Sequence, residues 1–477
     1  MLSAYFNVNF AKAESLPLMT FLQKEFQWQI NNDPKESTTK YGTTIDAVFL
    51  SSTNRHRGWR VSEGLQPTQA YGSSEFFFPH HGILRAGSET TKLRVVFNGS
   101  HSSSSGQSLN DFMHTGAKLQ KVISNVLLYS RRHTLIFITT DITKMFHQIR
   151  VHENDWPLQQ ILWTDSNGDV STYLLTTVTY GTRSAPFLAV PVLAQFVEGE
   201  GSKYPLAVEP ITRERYVDDV CGGADSSKDL IDTANQLANL FLSGGLPLAK
   251  WYSNSSELLI ALSPDNSLQG NHSIDDSLTK ILGVSSNPGT DKFNFAVTSP
   301  ENISISKRII LSETSQLFNP LWFVAPVVVR AKILVQSLWI EKLGWDEPVS
   351  PLTAHRWRQF REALSQLSQV SIPRWLGLLK VSTVEIHDFS NASQVAMLAM
   401  VYLMVFSGSH SPQITLLCSK TKVAPLKRLT IPRWELTAAL LLAKLTRYVQ
   451  DQLNISNAST YLWTDSSVTL TWISHHP

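Results

Sequence analysis

Two adjacent aspartates, Asp218 and Asp219, sit in the run RERYVDDVCGG with short apolar stretches on both sides. Acidic residues are depleted in strands, so a pair placed where two short strands would meet in a hairpin needs a cause. One cause is an ordinary turn, since aspartate is common there. The other is phosphoryl-transfer chemistry, in which carboxylates hold two divalent ions about 3.5–4 Å apart. A second segment, TTDITKMFHQIRV, favours the latter, because the apolar run LIFIT at 135–139 reads as a buried strand that delivers Asp141 at its end. Side chains alternate along a strand, so the paired aspartates are unequal. Asp218 is expected to share the metal face with Asp141, and Asp219 to be secondary.

Other segments carry their own punctuation. Ser226 is an N-cap with Asp229 three residues on; Leu230, Ala234, Leu237 and Phe241 form a stripe at helical spacing, and Gly244-Gly245 stops the helix. KLRVVF at 92–97 reads as a strand, a helical stretch is expected from near Leu109, and VSTYLLTTVTY at 170–180 reads as one or two strands. PVVVRAKILVQSLWIEKL is helical, and a strand-rich unit begins near Ser382.

With 477 residues, 42% of them hydrophobic and 17% charged, the chain is long enough for several folded cores. A net charge of +2 neither demands nor excludes nucleic acid, because a basic groove can hide in a near-neutral total. The two cysteines, Cys221 and Cys418, offer no disulfide framework, which suits a reducing, intracellular and cytoplasmic setting. No apolar stretch of about 18 residues is present for a membrane span, and MLSAYFNVNFAKAES lacks the order of a secretion signal. The terminal WISHHP reads as a chain cut inside a domain. His80-His81 and His475-His476 read as surface residues, since no further ligands lie at metal spacing.

The ordered series KLRVVFNGS, SLND, TTDITKMFHQIRV, YGTRSAP, YVDDV, LAKWYSNS and KILGV, entered by FPHHGIL, resembles the reverse transcriptase of Bel/Pao-type LTR retrotransposons. The resemblance runs from about residue 75 to the C-terminus. It implies an α+β right-hand polymerase fold with fingers and palm over 75–249 and thumb or connection over 250–377. A truncated ribonuclease H-like α/β domain would follow over 378–477, with residues 1–74 left unassigned. The implied activity is RNA-directed DNA polymerisation, with two Mg2+ ions (or Mn2+ in their place) on Asp141 and Asp218, and Asp219 completing the catalytic set.

Roles follow for the positions that match. Arg94, with Lys92 nearby, would meet the incoming triphosphate, for which a guanidinium fork is suited. Asn98 stands where relatives commonly carry aspartate. Phe146 would be the ring that excludes a ribose 2′-hydroxyl, where without the motif around it core packing would be the better account. Tyr180 and Gly181 would lie under the nascent base pair. Lys250, Trp251 and Gly283 would hold the primer end, with a buried structural role open for Trp251. The implied partners are an RNA template, a DNA primer and deoxynucleoside triphosphates, and in a complete, particle-associated element a protease and an integrase. Neither of those two has its signature here.

Downstream, EIHDFSNASQ, TIPRWELTAALLLAKL and YLWTDSSVTLTWI follow the order of a ribonuclease H domain. Glu435, expected in the first turn of a helix opened by Pro432, and Asp465, at a strand end before a capping Ser466, would be two of its acidic residues. The first is replaced, because Asn391 stands where the family reads DAS. An amide brings no negative charge, and Asp388, three residues earlier on a strand, belongs to the opposite face. Ribonuclease H activity is therefore not expected. A decayed element copy that folds or binds nucleic acid without polymerising is the alternative.

Overall fold

The structure, a computed structural model, describes residues 65–67, 77–84, 93–103, 105–164, 170–262, 279–295, 304–379, 382–408, 411–427 and 429–474. Most of the segment 1–74, Lys92 and His475-His476 lie outside them. The architecture is mixed α/β. No helix among the described residues is long and apolar enough to cross a membrane.

Near the start, β1 (Leu65–Pro67), β2 (His80–Leu84) and β3 (Leu93–Phe97) are short; β2 and β3 form an antiparallel ribbon with Ile83 opposite Arg94. Only one helical turn, Leu109–Phe112, follows Ser108, and the longer helix expected there starts later as α1 (Ile123–Ser130). The reason is local. Asp111 folds back to accept from the Ser108 amide and hydroxyl, which closes a capping box but builds no second turn.

The central sheet is antiparallel, and its order is fixed by β4 (Leu135–Ile142) in the middle. Strands β5 (Gln160–Thr164) and β6 (Val170–Leu175) pair elsewhere with β1. Helices α2 (Ala185–Glu200) and α3 (Pro205–Arg213) lead to β7 (Arg215–Tyr216) and β8 (Asp219–Ala224). Then α4 (Ser227–Ser243) crosses to β9 (Leu248–Ser253), giving the order β7-β8-β4-β9. The α4 expectation holds in detail: Ser226 Oγ accepts from the Asp229 amide at 3.2 Å, and the apolar stripe is buried against the sheet. Each fully buried leucine there contributes about 1.5–3 kcal/mol.

A small sheet follows, of order β10-β11-β12-β13, from β10 (Thr279–Ile281), β11 (Val284–Asn287), β12 (Lys292–Asn294) and β13 (Ser371–Pro373). Between β12 and β13 lie α5 (Lys307–Gln316), α6 (Ala325–Ile340) and α7 (Pro351–Leu364) around the buried Trp357. The Trp357 indole N–H donates to Glu313 at 2.9 Å, and Arg361 holds the same carboxylate at 2.7 Å.

The C-terminal domain opens with β14 (Thr383–Ala392), β15 (Ala396–Phe406) and β16 (Gln413–Val423), all antiparallel. The long helix α8 (Ile431–Leu453) covers one face, and β17 (Ser459–Thr464) returns parallel to β14 before α9 (Ser467–Ser474). The sheet order is β16-β15-β14-β17. The parallel return is possible because α8 supplies the crossover that parallel strands require.

Candidate active site

The hairpin β7–β8 pairs Arg215 with Val220 and Tyr216 with Asp219, so its turn is only Val217 and Asp218. Val217 has φ +55°, a region that β-branched residues rarely occupy. Such a tight turn normally places glycine at this position. Strain of this kind costs on the order of 1–3 kcal/mol and is tolerated where surrounding structure imposes it. Two more residues beside the site share the conformation, Lys144 at +51° and Lys250 at +56°.

The sheet brings the sequence-separated acids together. β4 pairs with β8 from Leu135 to Thr139, and Asp141 lies opposite Ala249 of β9. Asp219 is pushed up to about 7, first by burial, then by the charges of Asp218 and Asp141, with Lys250 opposing. Lys250 Nζ lies 3.2 Å from Asp141 Oδ2. Both groups are more than a third exposed, so this ion pair is worth well under about 1 kcal/mol. Carboxylates gathered in this way, two of them beside one ammonium, have the chemistry that divalent cations neutralise. Yet no group of three or more acidic, histidine or cysteine side chains among the described residues is gathered closely enough to hold a metal. The set therefore fits Mg2+ only with further ligands from substrate phosphates, an arrangement this ion commonly adopts.

Phe146 lies in a 3-10 turn after Asp141, its ring half-buried on the core of the central sheet. For Trp251 the structure takes the buried role that the sequence left open. At 3% exposure, with its ring 5.3 Å from Phe137, it belongs to the core, and of the LAKW pair Lys250 alone reaches the site.

Tyr180 and Gly181 are pinned to the β2–β3 ribbon. The Tyr180 hydroxyl donates to the Val95 carbonyl at 2.6 Å, and its ring meets Phe97 edge-on at 5.2 Å. Gly181 has φ +90°, and a Cβ there would sit 2.2 Å from the Phe97 carbonyl oxygen, so glycine is required. Asn110 was quoted within a motif without a role. Its amide donates to the Gly181 carbonyl at 3.1 Å and accepts from the Arg183 amide at 2.7 Å. The cue was available, because a buried asparagine is worth its desolvation only when both ends are bonded. Asn98, exposed at the end of β3, accepts from the Ser100 amide at 3.2 Å. Gly283 shares a two-residue turn with Leu282 between β10 and β11, both at positive φ, and packs beside Phe318.

In the C-terminal domain, Glu435 lies one residue deeper in its helix than expected. The helix starts at Ile431, which puts Glu435 in its second turn, 6% exposed, accepting from the Ala392 amide at 3.2 Å. Burial raises its pKa, the Ala392 N–H lowers it and Asp465 raises it, so the ends of β14, α8 and β17 converge. Asn391 is exposed, whereas Asp388 is 0% exposed on the helix side, bonded to Thr446. The alternation keeps Asp388 from taking Asn391's place.

No curated protein matches the chain. A family model described as the Pao retrotransposon-like RNaseH-like domain matches residues 306–466, about a third of the sequence, from the start of the α5–α7 helices to the end of β17. That region is thus similar to a ribonuclease H-like domain of Pao retrotransposons, and the match supports a Pao/Bel retrotransposon origin for the chain.

Proposed function

We propose that this chain is an RNA-directed DNA polymerase whose fingers and palm precede the ribonuclease H-like region, with the thumb or connection running into the start of that match. The observation that carries the reading is the convergence of Asp141 with the strained Asp218-Asp219 hairpin at one end of an antiparallel sheet. In this reading Asp141 and Asp218 hold the two Mg2+ ions, with Asp219 beside them. When bound, such ions stabilise the attacking and leaving oxygens of nucleotidyl transfer. Arg94 takes the triphosphate of the incoming nucleotide, and Phe146 walls off a 2′-hydroxyl from a ring position already fixed by packing. Tyr180 and Gly181, anchored to β3, support the nascent pair; Lys250 and Gly283 face the primer.

Primer extension on an RNA template with Mg2+ and deoxynucleotides, comparing the parent with Asp218→Asn, tests this. Extension by the parent alone supports the assignment. A folded parent that does not extend withdraws it in favour of a decayed element, a reading favoured by the amide of Asn391 in the second site. That substitution also underlies the proposal that this chain does not cut RNA in hybrids.

A further inference from the structure

Two arginines are almost wholly removed from solvent: Arg131 at 0% and Arg374 at 1% exposure. Arg131 follows α1, next to the central sheet, yet its guanidinium reaches far along the chain. Nη1 donates to the carbonyls of Leu416 and Leu417 in β16, both at 3.0 Å. Nη2 and Nε donate to the Pro373 and Arg374 carbonyls at 3.0 and 2.9 Å. Arg374 answers in the other direction. It donates to the Ser130, His133 and Thr134 carbonyls at 2.8–2.9 Å and grips both Asp291 oxygens at 2.6 and 2.8 Å. Three parts of the fold are joined by these two side chains: the root of the central sheet, the small sheet, and the C-terminal domain.

Packing follows the same path. One hydrophobic core contains Leu127 and Ile138 from the N-terminal side and Ile386, Val401 and Val449 from the C-terminal side. Tyr448 on α8 donates to Asn125 on α1 at 2.7 Å. A buried guanidinium is tolerated only while its donors are satisfied. Pulling the domains apart would strand both arginines together with the carbonyls they serve.

We propose that the C-terminal domain is a fixed brace for the central sheet, stapled behind it by Arg131 and Arg374. This mechanical role does not depend on the acidic cluster that Asn391 interrupts, and gives the domain a use that loss of that cluster would leave intact. It stands apart from the polymerase reading, because neither the staple nor its test involves nucleotides.

Hydrogen exchange on the full chain tests it. Ile386→Val removes one methylene from a fully buried position in β14, which should speed exchange there roughly twofold to tenfold. A brace requires β4 amides to speed up by the same factor; a rise confined to the C-terminal domain overturns the proposal. Arg131→Lys keeps the charge but loses the planar fork. In that background Ile386→Val should quicken β14 more than β4, and equal transmission would remove the arginines from the account. Ile386→Val is mild enough to be read in a folded chain and decides the proposal alone; Arg131→Lys, which leaves buried carbonyls unserved, is the more disruptive of the two.

Discussion

The central sheet and the C-terminal domain each bring acidic residues from distant segments to the end of a sheet, but they handle charge in opposite ways. In the first, burial and then the charges of Asp218 and Asp141 push Asp219 up to about 7, and Lys250 is the counter-charge shown beside them. In the second, the neutral Asn391 precedes Ala392, whose amide donates to Glu435 with Asp465 also acting on that carboxyl, and the carboxylate closest in sequence, Asp388, is buried on the wrong face. The first set concentrates negative charge where a strand end meets a strained hairpin. The second has an uncharged amide at one of its expected acidic positions.

The sharpest way to break this comparison is to neutralise one acid in each site. Asp218→Asn should cut primer extension on the order of 10⁴-fold, as expected for a member of a catalytic unit, while Glu435→Gln leaves it unchanged. Equal losses would erase the distinction.

The next effect concerns Asp388, whose pKa is raised from 3.8 to about 7, chiefly by burial. A carboxyl raised on folding holds its proton longer in the native state. Stability is therefore full below pH 4, lost as pH climbs through 4 to 7, and level above. Thr446 agrees with a neutral carboxyl. Its hydroxyl lies between Asp388 and the Leu442 carbonyl and has one proton to give. Asp388→Asn should stabilise the chain at pH 8 by up to about 4 kcal/mol and by little at pH 4. Thermal unfolding across that range reads the difference.

A smaller effect would repair the second site. Asn391→Asp should let Mn2+ raise the melting temperature, worth about 1.4–2.7 kcal/mol at ten to a hundred times the dissociation constant. The parent should show no such gain from that domain. If it does, the asparagine is not what disables the site. Last, Val217→Gly should relieve about 1 kcal/mol of turn strain, visible as a higher denaturation midpoint.

How much of this could be read from residues alone follows from what each region depends on. The strand into Asp141, the Tyr216–Asp219 hairpin and α4 were legible because local pattern decides them: an apolar run, two flanks around a polar turn, a cap and a stop. The Asp388–Asn391 alternation was legible for the same reason, since strand period is a local property. Glu435 was misplaced by one helical position, enough to leave the first turn, because Pro432 suits the second position as well as the first. Trp251 was ambiguous until packing chose the core. Arg131 and Arg374 were invisible, because an arginine in sequence reads as surface and only tertiary structure supplies nine acceptors. Lys250 gave no hint of its left-handed backbone.

The bonds from Arg131 to Leu416 and Leu417 span 285 and 286 residues of chain. A ribosome adding about 5–20 residues per second needs roughly 15–60 s to cross that interval. For most of it, Leu127 and Ile138 would be out of the ribosome while half of their core is still unmade. A chain built this way depends on whatever shields that surface for the better part of a minute. Its yield should then respond to translation speed and chaperone supply more than its final stability would suggest.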